Sequence, residues 1–195
     1  GCKGRQQSTA GSSSRCILGT DFFILNEDGE MKRKIVELLA TGFYFGKAKF
    51  APGTWGTLWG IPFAYALVRL TNLLPMSTFA YMLATIGLIL FATWISQLHE
   101  DYTNAHDPKE IVIDEIVGYL VTFTWLPLTW QSFLGAFLFF RLFDIWKPWP
   151  IRKIDREVKG GLGTVLDDVA AGVLANICLQ IIFEKTNWLG AQFGG

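Results

Sequence analysis

The stretch MSTFAYMLATIGLILFATWISQL, residues 76–98, decides the fold because it contains no charged side chain. A helix of roughly 20 apolar residues crosses a hydrocarbon core about 30 Å thick, so this stretch is long enough for a membrane span. Two shorter apolar runs, residues 58–74 and 164–183, carry charge only at Arg69, Asp167 and Asp168. Their marginal length predicts helices that tilt in the bilayer or thin it locally.

The composition points the same way. Hydrophobic residues make up 51% of the chain and charged residues 17%, and the mean hydropathy is +0.32. This is more apolar than a soluble domain needs. The formal net charge is zero, so no global basic field indicates a nucleic-acid partner. The cysteines, Cys2, Cys16 and Cys178, form neither a disulfide framework nor a metal-binding spacing.

The first 30 residues differ in composition from the rest. They are rich in Ser, Gly, Gln and charge, and they have no apolar stretch long enough for a signal sequence. Met31 and the basic run that follows it look like a natural start. We therefore predict that residues 1–30 are a disordered or extraneous leader and that residues 31–195 form a single membrane-embedded domain.

A long apolar run, residues 116–143, is interrupted at residues 126–129, which include Pro127. The residue before a proline disfavours helix, so two shorter helices that meet in a turn are predicted, and a single kinked helix is the alternative. The expected fold class is all-α, a multi-helical membrane bundle with two helical hairpins plus a C-terminal helix. Such hairpins would bring every charged motif to one membrane face.

The basic residues test this topology independently. After residue 30, nearly all of them fall in segments that would lie at the motif face, and only Arg69 and Lys185 fall elsewhere. Cytoplasmic segments of membrane proteins carry an excess of Lys and Arg. The motif face is therefore predicted to be cytoplasmic.

Two glycine-containing segments are candidates for binding an anion through backbone N–H groups. PGTWGT occupies residues 52–57, and GGLG occupies residues 160–163. Glycine allows the backbone to approach an anion closely, and the N-terminus of a following helix adds a favourable dipole. The alternative for the first segment is a turn that only lets the chain enter the membrane.

Two segments place carboxylates at the start of apolar helices. HDPKEIVIDE, residues 106–115, ends in Asp114 and Glu115, and Asp167 and Asp168 open the run that follows GGLG. Carboxylates near lipid cost about 2 to 3 kcal/mol each by insertion scales, so a bound divalent cation would compensate. Acidic capping of a helix N-terminus is the simpler explanation. His106 is a candidate general acid or base, although a lone histidine in a loop is more often a surface residue.

Further spacings indicate which charges share a helix face. In FRLFDIWKPWPI, residues 140–151, Arg141, Asp144 and Lys147 recur every three residues. They suit either a structural ion pair or a site that binds metal and phosphate. Gly118 and Gly172 each lie one turn beyond a carboxylate. Small residues let membrane helices pack closely, which could bring carboxylates from separate helices onto one ion.

With these segments in view, the chain strongly resembles the phosphatidylglycerophosphatase A family of bacterial inner membranes. The resemblance rests on PGTWG from Pro52, HDPKEIVIDE from His106, FRLFDIWKPWPIRKIDREVKGGLG from Phe140 and DDVAAG from Asp167. It implies a Mg²⁺-dependent lipid phosphatase that removes the terminal phosphate of phosphatidylglycerophosphate to give phosphatidylglycerol. It also implies a phospholipid substrate, while the oligomeric state stays open.

On this resemblance we assign roles as a hypothesis. The expected metal ligands are carboxylates: Asp114, Glu115, Asp144, Asp167 and Asp168. The expected catalytic residues comprise four of these acids and two candidates for proton transfer: Asp114, Glu115, Asp144, Asp168, His106 and Asp107. The expected phosphate contacts are two basic side chains and residues of the two glycine-containing segments: Arg141, Lys147, Pro52, Gly53, Thr54, Gly160, Gly161 and Gly163. A transferase acting on CDP-activated lipids and a small cation transporter are the alternatives.

Overall fold

The computed structural model describes residues 19–48, 51–103 and 110–186, and side chains from Gly29 onward. All regular structure in these ranges is helical, which confirms the predicted all-α class. The elements are α1 (Gly19–Ala40), a short 3-10 helix (Phe45–Lys47), α2 (Pro52–Thr71), α3 (Ser77–Thr103), α4 (Ile113–Thr122), α5 (Trp130–Trp146), α6 (Ile151–Glu157) and α7 (Gly161–Lys185).

The chain divides into two units, Gly1–Lys32 and Arg33–Gly195. In the first unit the described residues, 19–32, are helical. The assignment of residues 1–30 to a disordered or extraneous leader stays a prediction. The second unit holds the other helices. The assignment of residues 31–195 to one domain stays a prediction.

The helices are interrupted close to the positions predicted from the sequence. Residues 72–76 separate α2 from α3, and residues 123–129 separate α4 from α5. The Thr129 hydroxyl caps α5 by accepting a hydrogen bond from the Ser132 N–H at 3.2 Å. The apolar run 116–143 is thus two helices rather than a single kinked one.

The short helix α4 lies among the others and packs against α2, α3, α5 and α7. Seven of its ten residues are buried, so it needs apolar neighbours on most sides. Its Tyr119 ring is fully buried, and the Tyr119 hydroxyl donates a hydrogen bond to the Phe133 carbonyl at 3.0 Å. Tyr81 of α3 donates to the Leu120 carbonyl at 2.8 Å. These bonds satisfy polar groups that burial would otherwise penalise.

Contact between α4 and α7 depends on two glycines. A Cβ added to Gly172 would lie 2.4 Å from the Gly118 carbonyl oxygen. A Cβ added to Gly118 would lie 2.5 Å from the Phe140 ring and 2.9 Å from the Asp168 carbonyl oxygen. Neither position admits a side chain without movement. The close packing predicted from these two glycines is confirmed, and it brings the carboxylate ends of α4 and α7 together.

Two helices in the described part of the chain are long and apolar enough to cross a membrane. They are α3, with 27 residues, and α7, with 25 residues. Helix α3 covers the predicted span 76–98 except for its first residue, and α7 contains the predicted span 164–183. The run 58–74 lies largely within α2, which is not among these two.

Candidate active site

Three carboxylates from two helices converge at one point. Asp114 and Glu115 are the second and third residues of α4, and Asp168 lies in the second turn of α7. One oxygen from each lies within 4.8 Å of an oxygen of the other two. Asp114 and Asp168 are buried. Because buried like charges repel one another, the cluster is stable as anions only if a cation neutralises it.

These carboxylates open onto a cavity of about 270 Å³. Its walls come from the N-terminus of α2, the residues around the start of α4, the C-terminal end of α5 and the first two turns of α7. The lining residues are Ala51, Pro52, Gly53, Ile111, Asp114, Glu115, Arg141, Asp144, Lys147, Thr164, Asp167 and Asp168.

Two cationic side chains face the same cavity, and each is paired with acid. Arg141 forms an ion pair with Asp144 on the same face of α5. Lys147, just after α5, donates to Asp155 at 2.6 Å and to Asp167 at 2.5 Å. Burial lowers the pKa of Lys147, but the hydrogen bonds to both aspartates outweigh it and raise the pKa above its ordinary value. Lys147 therefore remains charged.

Glu115 fits against α2 because that helix has glycine at two contact positions. A Cβ on Gly53 would lie 2.2 Å from Glu115 Oε1, and a Cβ on Gly56 would lie 3.1 Å from Glu115 Oε2. PGTWGT forms the first turns of α2 rather than a turn that precedes the helix. Its glycines thus admit a carboxylate of the cluster.

Several buried polar atoms around the cavity have no hydrogen-bond partner among the described residues. They are Glu115 Oε2, Asp167 Oδ1 and Arg141 Nε. Unsatisfied buried carboxylate oxygens are costly and are usually explained by an ion or water. Mg²⁺ and Ca²⁺ take oxygen ligands of this kind, so the side chains fit a divalent cation.

The structure brings together most of the site residues expected from the sequence. Asp114, Glu115 and Asp168 form the three-carboxylate group, and Asp144 and Asp167 line the same cavity as partners of cations. Two of the expected backbone contacts, Pro52 and Gly53, also line it. His106 and Asp107 lie outside the described residues.

Thr54 and the three glycines at the start of α7, Gly160, Gly161 and Gly163, are not among the residues that line the cavity. The Thr54 N–H bonds to the Ala51 carbonyl at 3.0 Å. The Gly161 N–H donates to Gln97 Oε1 at 2.9 Å, and the Gly163 N–H donates to the Gly160 carbonyl at 2.8 Å. These N–H groups are used within the protein, so a role for Thr54, Gly160, Gly161 and Gly163 in phosphate binding stays a prediction.

Sequence reasoning missed four residues of the site region. Thr164, Ala51 and Ile111 line the cavity, and Asp155 pairs with Lys147. Thr164 lies one helical turn before Asp168, so helical spacing could have identified it. Its hydroxyl donates to Glu100 Oε1 at 3.0 Å. Asp155 comes from α6, and no periodicity links that helix to α5.

Fold and site together define a class of protein. It is an all-helical protein with two candidate membrane spans and a buried acidic cavity, suited to a divalent cation and lined by paired cationic groups. The chain belongs to the phosphatidylglycerophosphatase A family, whose sequence profile matches residues 38–183. That range contains every described residue of the cavity.

Individual relatives agree with this assignment. Phosphatidylglycerophosphatase A of Escherichia coli strain K12 is 40% identical over 146 residues, covering 74% of this chain and 81% of the relative. Phosphatidylglycerophosphatase A of Haemophilus influenzae is 36% identical over 155 residues, covering 79% and 90%. A putative phosphatidylinositol-3-phosphatase of Bacteroides thetaiotaomicron is 35% identical over 156 residues, covering 74% and 91%. No solved structure matches the chain.

Proposed function

We propose that this chain hydrolyses phosphatidylglycerophosphate to phosphatidylglycerol and inorganic phosphate. Family membership supports the reaction, and one structural observation carries it: three carboxylates share a cavity with Arg141 and Lys147. Acids that can hold a cation, beside basic groups that can hold phosphate oxygens, are what phosphoryl transfer needs.

Mg²⁺ is the proposed cofactor, held by Asp114, Glu115 and Asp168. Such an ion supplies Lewis-acid stabilisation of the phosphoryl oxygens and lowers the pKa of a bound water. Asp144 and Asp167 line the same cavity but are engaged by Arg141 and Lys147. We assign them to the outer part of the site, where they orient the two cations.

The protein's own groups bind and orient the substrate. Lys147 is fixed by two aspartates and can offer its remaining N–H to an oxygen of the terminal phosphate. Arg141 adds a second positive charge at the cavity wall. Preorganised charge of this kind stabilises the transition state without reorganisation during the reaction. His106 or Asp107 is the proposed proton-transfer residue.

We place the protein in the bacterial inner membrane as a helical bundle of the hairpins α2–α3 and α4–α5 plus α7. Asp114 lies in the first turn of α4, and Asp144 lies in the last turn of α5. The carboxylates thus lie at helix ends, and we assign these ends to the depth of a lipid headgroup. The distribution of basic residues supports a cytoplasmic position for this end.

The location at helix ends also bears on the alternatives. A cation transporter would carry its acidic cluster near the middle of the bilayer, away from the ends of its helices. A CDP-lipid transferase also gathers aspartates around Mg²⁺, but its usual D-G-x-x-A-R spacing is absent from the sequence. Phosphate monoester hydrolysis accounts for both the cluster and its position.

The test is phosphate release by the purified full-length protein in mixed micelles with phosphatidylglycerophosphate. We expect release with Mg²⁺, loss on adding EDTA, and recovery when Mg²⁺ is returned in excess. Asp114→Asn and Asp168→Asn should each lower kcat by about 10³-fold, since a catalytic ion supplies several kcal/mol to the transition state.

A matched control is Glu157→Gln, which makes the same carboxylate-to-amide change on an exposed side chain of α6. It should retain the wild-type rate within about twofold. Phosphatidylinositol 3-phosphate serves as a second substrate. Release from that lipid alone would move the assignment to another lipid phosphate monoester, and full activity of both Asn variants would refute the shared cation.

A further inference from the structure

The outer face of α5 forms an open apolar depression of about 800 Å³. Its walls are Leu138, Leu142, Ile145 and Trp146, with Arg141 completing the set. The four apolar side chains are between 52% and 73% exposed. Leu138, Leu142 and Trp146 are spaced by four residues, and Ile145 follows Leu142 by three, so they form one stripe along the helix.

Arg141 lines both this depression and the acidic cavity. One of its terminal nitrogens pairs with Asp144. Its Nε is buried and has no hydrogen-bond partner among the described residues. A guanidinium that makes one ion pair and keeps a further donor is suited to a second, anionic partner. That partner has to lie where the depression on α5 meets the acidic cavity.

We propose that the depression on α5 binds the acyl portion of the substrate and that Arg141 binds the phosphodiester adjoining it. The inference rests on the proposed function and extends it. Phosphatidylglycerophosphate carries acyl chains, then an uncleaved phosphodiester, then the terminal monoester. The protein presents matching chemistry in the same order, with the apolar stripe, Arg141, and the acidic cavity.

The cationic end distinguishes this stripe from ordinary lipid-facing surface. Leu83 and Leu90 of α3 are exposed to a similar extent, 54% and 67%. No α3 residue is among those lining the described cavity. An acyl chain lying along α3 would therefore have no path for its headgroup to the carboxylates, whereas a chain lying along α5 leads its phosphodiester to Arg141.

A kinetic test compares Leu142→Ala/Ile145→Ala with the matched control Leu83→Ala/Leu90→Ala. In mixed micelles of long-chain phosphatidylglycerophosphate, we expect the α5 variant to raise KM about tenfold with kcat unchanged. This follows because the two shortened side chains lose van der Waals contacts with the acyl chain, and in a lipid phase such packing contacts supply the affinity. The α3 variant should keep the wild-type KM within about twofold.

A binding test does not depend on turnover. A photoreactive benzoylphenylalanine replaces Leu142 or, as the control, Leu90, and the protein is irradiated with phosphatidylglycerophosphate at increasing concentration in a background of phosphatidylcholine. We expect saturable crosslinking at Leu142 and non-saturable crosslinking at Leu90. Equal KM shifts in the two double variants, or equal crosslinking at both positions, would overturn the acyl site. No phosphate release by wild type, with saturable crosslinking intact, would instead refute the proposed function.

Discussion

Gly53 of α2 leaves no room for a side chain beside Glu115, so Gly53→Ala tests whether the position of this carboxylate matters. The added Cβ would lie 2.2 Å from Glu115 Oε1 and 3.0 Å from the nearest Arg141 nitrogen. Ordinary van der Waals contact begins at 3.4 Å. The carboxylate must therefore move by about 1 Å or more, a misplacement that can cost about 10²-fold in rate.

We expect Gly53→Ala to lower kcat/KM about a hundredfold in the phosphate-release assay. The concentration of Mg²⁺ that gives half-maximal activity should rise as well, because Glu115 is a proposed ligand. A merely local packing defect would lower thermal stability without changing the Mg²⁺ requirement. Thermal unfolding of the same preparation separates the two effects.

The matched control is Gly87→Ala in α3, where an added Cβ meets nothing within 4 Å. Alanine is a better helix former than glycine by up to about 1 kcal/mol, so this variant should be as stable as wild type or slightly more so. Its kcat/KM should stay within about twofold. If Gly53→Ala were folded and equally active, Glu115 would not belong to the reaction centre.

Three further outcomes can be measured on the same preparation. Lys147→Gln removes the cation that pairs with Asp167 and should lower kcat/KM by about 10²-fold, because one preorganised donor is lost; phosphate release at fixed Mg²⁺ measures it. Gly172→Ala forces α4 and α7 apart and should lower the free energy of unfolding by about 1 to 3 kcal/mol in denaturant titration. Asn176→Leu removes the donor to the Thr122 carbonyl oxygen, now at 2.8 Å, whereas Gln180 still donates to the Thr124 carbonyl at 3.1 Å. The loss should cost about 1 to 3 kcal/mol of stability; an unchanged melting temperature would contradict that value, while kcat should hold.

Regular patterns in the sequence predicted five of the described helices, α2 to α5 and α7, but neither α1 nor α6. The uncharged run 76–98 predicted α3, and Pro127 predicted the break between α4 and α5. Gly118 and Gly172 predicted the contact between α4 and α7 because their spacing from the carboxylates is one helical turn. Each of these signals is local to one helix, and helical periodicity determines which residues share a face.

These local signals could not predict which acid pairs with which cation in the site. Five acids and two cations line or border the cavity, and several pairings satisfy the spacing along α5 and α7 equally well. Lys147 bonds to Asp155 because α6 places that residue next to the end of α5, and it bonds to Asp167 because α7 packs against α5. The partners of Lys147 depend on how side chains from α5, α6 and α7 are arranged in space, and the spacing of residues along one helix does not predict that arrangement.

The glycines illustrate how a residue type can indicate a close approach without showing which group approaches. PGTWGT and GGLG were both interpreted as backbone cradles for phosphate. In the structure Gly53 makes room for Glu115. Gly161 makes room for the backbone of α3, because a Cβ added at Gly161 would lie 2.3 Å from the Gln97 backbone nitrogen. Glycine in both segments reports a close approach, which is what its missing side chain permits. The approaching group is another part of this protein, and only the packing of separate helices decides which part it is.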